Sequence, residues 1–334
     1  MTASSQPETV PPNVRVARAP SPDARLVLVS KNPRAGSKAR HDHVAEMEAA
    51  LAQAGFTVRT TTDLASLNDV AAECQKSGDL RAVIAVGGDG TASIVRNHVP
   101  LEVPLLVVPM GTENLLGRYL EQSSDPAAVA ATVKNGVVAE FDLARAGNKY
   151  FLLMISVGFD AEVIRTLHEN RRGNISRAAY FLPTLHTIRS YEYSPMRLYW
   201  DTASAPAAEP ISCRWMFGFN LPLYALGLPI APNAVGTDGM LDVCTFERGA
   251  LWGVTRYLWH VARKLHHKLP DAGFHQSRRF RLEPTEGAVI PYQLDGDFAG
   301  NLPVDVEVLP SQLRLLIAPA TASSLGFCVE TESA

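Results

Sequence analysis

The sequence predicts an α/β half followed by a mostly antiparallel β half. Short apolar runs alternate with helical patterns through about residue 140, and the helical patterns there stop at glycines. Beyond that point, strand-like runs separated by turn residues dominate. At 334 residues the chain exceeds one ordinary core, so two domains are expected.

In order, residues 1–22 are rich in Pro, Ser, Thr and Ala and read as a disordered tail, with no signal peptide. "RLVLVS" is a β run, followed by a helical pattern through Val44, Met47, Leu51 and Ala54 that ends at Gly55. "FTVRTTT" gives a strand, "DLASLNDVAAECQKSG" a helix, "AVIAV" a strand, "TASIVRNHV" a helix and "PLLVVPMGT" a strand. This alternation implies a parallel sheet covered on both faces.

The second half holds "AEFDLARAG", "KYFLLMISVG", "MRLYWDTA", "SCRWMFGFNL", "MLDVCTFE", "RRFRLEP", "AVIPYQLDGD" and "VDVEVLP", an antiparallel sheet or sandwich. Helical insertions near 161–190 and 249–269 interrupt it, and "LRLLIAP" is expected to return to the first half. Trp215 to Thr237 is uncharged and long enough to span a bilayer, but Pro222, Pro229 and Pro232 would break a helix there. It reads as a buried strand and a loop.

Composition excludes some functions. The formal net charge is −3, without the basic excess of a nucleic-acid binder. Cys74, Cys213, Cys244 and Cys328 are scattered, reading as reduced thiols of a cytoplasmic protein and not as a zinc site.

Three loops leave strands where ligands bind in parallel sheets: "NPRAG" (Asn32–Gly36), "GGDGT" (Gly87–Thr91) and "GTEN" (Gly111–Asn114). Gly87, Gly88 and Gly90 let backbone N–H groups approach a phosphate, and Thr91 can cap the next helix or offer its hydroxyl. Asp89 is unexpected in an anion cradle and calls for a magnesium ion or another charge partner. Neither GxGxxG nor GxxxxGK[ST] is present.

These three motifs, followed by "SVGFDAEV", "APNAVGTDGMLDV" and "LDGDFAG", resemble the catalytic domain shared by diacylglycerol kinases, sphingosine and ceramide kinases and their bacterial relatives. The likeness runs from about Arg25 to about Pro310. It implies a Rossmann-like α/β nucleotide-binding domain over 23–140, of the type found in NAD kinases and diacylglycerol kinases. An antiparallel β-sandwich lipid-substrate domain follows over 141–308, and 309–334 packs back on the first domain.

The resemblance further implies an ATP-dependent lipid kinase. Asn32, Gly87, Gly88, Asp89, Gly90, Thr91, Gly111, Thr112 and Asn114 would surround the nucleotide, with one threonine of Thr60–Thr62, here taken as Thr62. In place of the family's DGE motif stands Asp295-Gly296-Asp297, so Asp297 takes the proton acceptor's position with Asp295 as fallback. Without the resemblance, this is an Asp-Gly hairpin turn. "VGTDGM" resembles the loop that binds Mg²⁺, through the Asp238 side chain and the carbonyls of Val235 and Met240. Asp160 would either orient the acceptor or cap the helix that follows it.

A lipid substrate implies transient membrane contact. In "LWGVTRYLWHVARKLHHKL", Leu251, Val254, Leu258, Val261 and Leu265 form one helical face, punctuated by Arg256, Arg263, Lys264 and Lys268. "RRFR" and "HENRRGNISR" are further basic candidates. Two other readings remain: an NAD kinase, which shares the GGDGT turn, and a non-catalytic nucleotide- or lipid-binding regulator, to which the altered DGE motif points.

Overall fold

The computed structural model describes residues 15–31, 38–169, 189–200, 209–224, 227–285 and 287–330. Its first strand, β1 (Val16–Arg18), corrects the expectation of disorder to residue 22. It pairs in parallel with Cys328–Glu330 and touches Val138, and Arg18 forms an ion pair with Glu330 at 2.9 Å. A ladder whose partner lies at the other end of the chain leaves no local periodicity to read.

The α/β part follows the expected order: β2 (Leu26–Lys31), α1 (Lys38–Gln53), β3 (Thr57–Thr61), α2 (Leu64–Ser77), β4 (Leu80–Gly87), α3 (Asp89–Arg96), β5 (Leu105–Pro109), α4 (Leu115–Tyr119) and α5 (Pro126–Asn135). Its punctuation is chemical. Asp63 caps α2 by accepting the N–H groups of Ala65 and Ser66, and Gly78 ends it with φ 80°. Every residue of β4 is buried, as a central parallel strand requires. β3, β2, β4 and β5 lie side by side and parallel, so their carboxyl ends share one edge.

The β part begins with β6 (Val137–Ala146), β7 (Lys149–Phe151) and β8 (Met154–Val157), then α6 (Phe159–Glu169), β9 (Met196–Trp200), β10 (Ile211–Cys213) and β11 (Trp215–Phe219). After β12 (Leu241–Phe246) come α7 (Ala250–Ala262), β13 (Ala272–Ser277), β14 (Arg279–Pro284), β15 (Pro291–Leu294), β16 (Asp297–Asn301) and β17 (Val304–Ile317), and near the end β18 (Cys328–Glu330). One six-stranded antiparallel sheet has the order β13-β12-β11-β8-β15-β16. It packs Ile155, Val157, Met216 and Leu241 against Met196, Leu198, Phe280 and Val306 of the other sheet, forming the sandwich core.

That other sheet runs through both halves, in the order β10-β9-β14-β17-β5-β4-β2-β3. The 14-residue β17 is antiparallel to β14 and β6, and at Leu315 it pairs in parallel with Leu105 of β5. The C-terminal run thus returns to the parallel strands.

One expectation holds and another changes. As expected, Trp215–Phe219 is a wholly buried strand followed by a loop, and no helix among the described residues is long and apolar enough to cross a membrane. The basic helix ends at Ala262, so Leu265 and Lys268 lie beyond it. Its apolar face points inward: Val254, Tyr257 and Val261 are buried, with Tyr257 against Phe246 and Trp215. Packing the sandwich claims that face before a membrane can. Most of "HENRRGNISR" lies outside the described residues.

Candidate active site

The glycine turns occupy the shared carboxyl edge of the parallel strands. Gly88 is the N-cap of α3 and offers no side chain to the helix's first N–H groups. Here two loops cross at van der Waals distance. A Cβ on Gly111 would stand 2.6 Å from Gly88 Cα, and one on Gly87 would stand 2.2 Å from Thr91 Oγ1. Only glycine fits at either point. Thr91 therefore folds its side chain back over Gly87. Asn114 locks the second loop: its Oδ1 accepts the Gly111 N–H at 2.7 Å and its Nδ2 donates to the Gly111 carbonyl at 3.0 Å.

Asp89 is tied to the second loop. Both carboxylate oxygens accept backbone N–H groups that open α4, from Leu115 and Leu116, each at 2.9 Å. Burial raises its pKa, while those two bonds favour the ionised form. Asp89 is thus a helix cap supplied from another segment, tying the GGDGT turn to GTEN. The conflict between a carboxylate and a phosphate disappears because the side chain faces the other loop.

Helix α3 is strapped to the β half along its length. Asp297 Oδ2 lies 3.0 Å from where a Cβ on Gly90 would be, so the carboxylate meets this helix over a glycine. Ser93 hydrogen-bonds the Asp295 carboxylate. At the far end, Asn97 and Tyr150 of β7 exchange two bonds, at 2.8 and 2.9 Å.

Asp295 and Gly296 form the two-residue turn between β15 and β16, with φ 52° and 89°. Both central residues have positive φ, the reason Asp-Gly is favoured there. The hairpin reading and the motif reading are therefore compatible. Asp295 is buried, and its oxygens accept N–H groups of Leu152, Leu153 and Met154 at 2.7–3.1 Å. Burial pushes its pKa up to about 6, against the lowering effect of those bonds. Asp297 opens β16 and is only partly buried.

A buried network backs this turn. Gln293 Oε1 accepts the Gly296 N–H at 2.7 Å, while its Nε2 donates to Ser156 Oγ at 2.9 Å and Asp160 Oδ2 at 3.2 Å. Ser156 and the Tyr224 hydroxyl also donate to Asp160. Asp160 therefore bonds three side chains and does not cap α6, one of the two uses expected for it. Desolvation raises its pKa against those three bonds. Sequence reasoning missed Gln293, Ser156, Tyr224, Ser93 and Asn97. The placement of Gln293 two residues before the acidic turn was the one local signal.

Among the expected threonines, Thr60 bonds Glu48 and Thr61 bonds Asp63 and Ser66. Thr62 is exposed just past β3, at the shared edge, and makes no hydrogen bond among the described residues. Thr112 is exposed in its loop. Asn32 lies outside the described residues. The loop bearing Val235, Asp238 and Met240 closes on itself: Asp238 accepts the Met240 N–H at 3.0 Å and the Val235 carbonyl accepts that of Thr237 at 2.7 Å. Buried Asp142 accepts the Gly239 N–H. Burial, and secondarily this neighbouring acid, raises the Asp238 pKa. Among the described residues, the hydrogen bonds of this loop do not reach the glycine turns.

Comparison with known proteins agrees with this layout. The family model of the diacylglycerol kinase catalytic domain matches residues 26–146, and that of the YegS C-terminal NAD kinase beta sandwich-like domain matches residues 153–317. A diacylglycerol kinase of Mycobacterium tuberculosis (strain CDC 1551 / Oshkosh) is 27% identical over 242 residues, covering 70% of this chain and 76% of that protein. One from Staphylococcus carnosus is 22% identical over 294 residues, covering 84% and 90%. The crystal structure of a diacylglycerol kinase from Bacillus anthracis shares the fold, with TM-score 0.61 and 19% identity, over 90% of this chain and 99% of that one. An Archaeoglobus fulgidus NAD kinase in complex with ATP shares it more distantly, with TM-score 0.51 and 12% identity, over 90% and 96%. With one model on each half of the chain, the protein belongs to the diacylglycerol kinase catalytic-domain family, a family of kinases.

Proposed function

We propose that this chain is an ATP-dependent lipid kinase that transfers the γ-phosphate to a hydroxyl of a lipid such as diacylglycerol or a sphingoid base. The observation that carries the reading is the Asp297 carboxylate set against Gly90, in the first turn of the helix that follows the glycine loop. The GGDGT and GTEN backbone would hold the triphosphate, with Thr62, Thr112 and the loop after β2 around the nucleotide. The acceptor oxygen attacks the γ-phosphorus, the bond to the β-phosphate oxygen breaks, ADP leaves, and the hydroxyl proton passes to Asp297. Asp295, whose oxygens already hold three backbone N–H groups, positions the turn instead of acting as base.

The 235–240 loop fits a hard cation. Its donors are oxygens, and crowding of Asp238 by Asp142 is a charge conflict that Mg²⁺ would relieve. Asp238 and the carbonyls of Val235 and Met240 would hold it. A magnesium ion supplies charge neutralisation at such a site. The acceptor is taken from a bilayer, so contact with a membrane surface is transient and peripheral.

The test is phosphate transfer from γ-labelled ATP to extracted lipids, with NAD offered in parallel. Asp297→Ala is expected to lower transfer by about 10²–10⁴-fold while leaving ATP binding and thermal midpoint unchanged. Full activity in that variant would place the base elsewhere, labelled NADP would favour the NAD kinase reading, and ATP binding without turnover on any acceptor would favour a regulator.

A further inference from the structure

Helix α7 has an outer face that the sandwich leaves uncovered. Trp252 is 85% exposed and Trp259 52%, seven residues apart and therefore on one side of the helix, with exposed Thr255 between them. Water-facing indoles are uncommon on a surface with no partner, and two in register form a patch.

The charged side chains along the helix and just beyond it have one sign. From Arg248 to Pro270 the sequence contains no Asp or Glu. Arg248 and Arg256 are engaged by Asp271. Arg263, Lys264, His267 and Lys268 are exposed beyond the end of the helix, and the Arg263 guanidinium lies over the Trp259 ring at 4.5 Å. Amphipathic rings bordered by cations match the headgroup level of an anionic bilayer, where indoles partition and basic side chains meet lipid phosphates.

We propose that this outer face of α7 docks on an anionic lipid bilayer, with Trp252 and Trp259 inserted at the headgroup level. The proposal rests on the lipid-kinase reading for its purpose, though not for its test. Packing links the patch to the site. Tyr257, on the inner face of α7, meets Trp215 edge-on at 5.6 Å, Trp215 meets Phe159 edge-on at 5.8 Å, and Phe159 precedes Asp160 at the start of α6. A docked α7 would thus be braced on the same aromatic column that supports the acceptor side.

The test is co-sedimentation of the full chain with vesicles of phosphatidylcholine, alone and with one third phosphatidylglycerol. The wild type is expected to prefer the anionic vesicles. Trp252→Ala combined with Trp259→Ala should weaken binding to them by about tenfold or more, and Arg263→Ala combined with Lys264→Ala should reduce the anionic preference by about fivefold per charge. Absence of vesicle binding by the wild type, or undiminished binding by the indole variant, overturns the proposal. So does a halving of the solution mass in the indole variant, which would show that a second copy covers the patch. Phosphorylation of a short-chain acceptor dissolved as monomers is read separately and should be unchanged by the indole substitutions. Vesicle binding that depends on the indoles, without turnover of any acceptor, would keep the docking surface and remove the kinase reading.

Discussion

The two walls of the crevice are built by opposite strategies. On the proposed nucleotide wall, glycine turns bring two backbones together and side chains hold them: Asp89 caps α4, and Asn114 clasps Gly111. On the proposed acceptor wall, a carboxylate meets α3 and a buried polar network holds its turn, with Asp295 gripping three backbone amides and Gln293 the turn between the two acids. The comparison teaches that a motif carboxylate can be committed to backbone. Of Asp89, Asp295 and Asp297, the first two accept backbone N–H groups, while the Asp297 carboxylate meets α3 at Gly90.

That contrast can be broken from either side. The largest effect is expected from Gly111→Ala. Its Cβ would meet Gly88 Cα at 2.6 Å, so the two loops must separate, at a cost of about 1–3 kcal/mol and with loss of ATP binding in calorimetry. Retained nucleotide affinity would mean that the amide wall lies elsewhere. Next is Asp89→Ala, which strands the Leu115 and Leu116 N–H groups. A loss of about 2 kcal/mol in chemical denaturation, with weaker ATP binding, is expected. If Asp89 instead contacts a nucleotide-bound cation, stability would hold while Mg²⁺ dependence changed.

The smallest effect concerns the acceptor wall and appears as a pH slope. The Asp295 pKa rises from 3.8 in the unfolded chain to about 6 when folded. Between these values the native state keeps a proton that the unfolded chain has released, so stability falls as pH rises through the window. Asp295→Asn carries no such proton and should flatten that slope in denaturation midpoints taken at both ends of the window. An unchanged slope would assign the titration to another group.

Much of this was legible because it is local. Strands β2, β4 and β5 of the α/β half are apolar runs, and the capping Asp63 and the terminal Gly78 are punctuation within one helix. The motif loops sit at strand ends because periodicity changes there. What was not legible depends on partners distant in sequence. Asp89 finds its N–H groups 26 and 27 residues away, Asp295 finds its own more than 140 residues upstream, and β1 waits for the last strand. The inward turn of Val254 and Val261 was equally hidden, since an amphipathic pattern does not say whether its apolar stripe meets protein or lipid.

The long β17 has one more consequence. Because one strand pairs with β14, β6 and β5, the halves bearing Gly90 and Asp297 share one woven frame. Alignment entropy is lost once, as the chain folds, and under the kinase reading an acceptor would meet the two walls already placed.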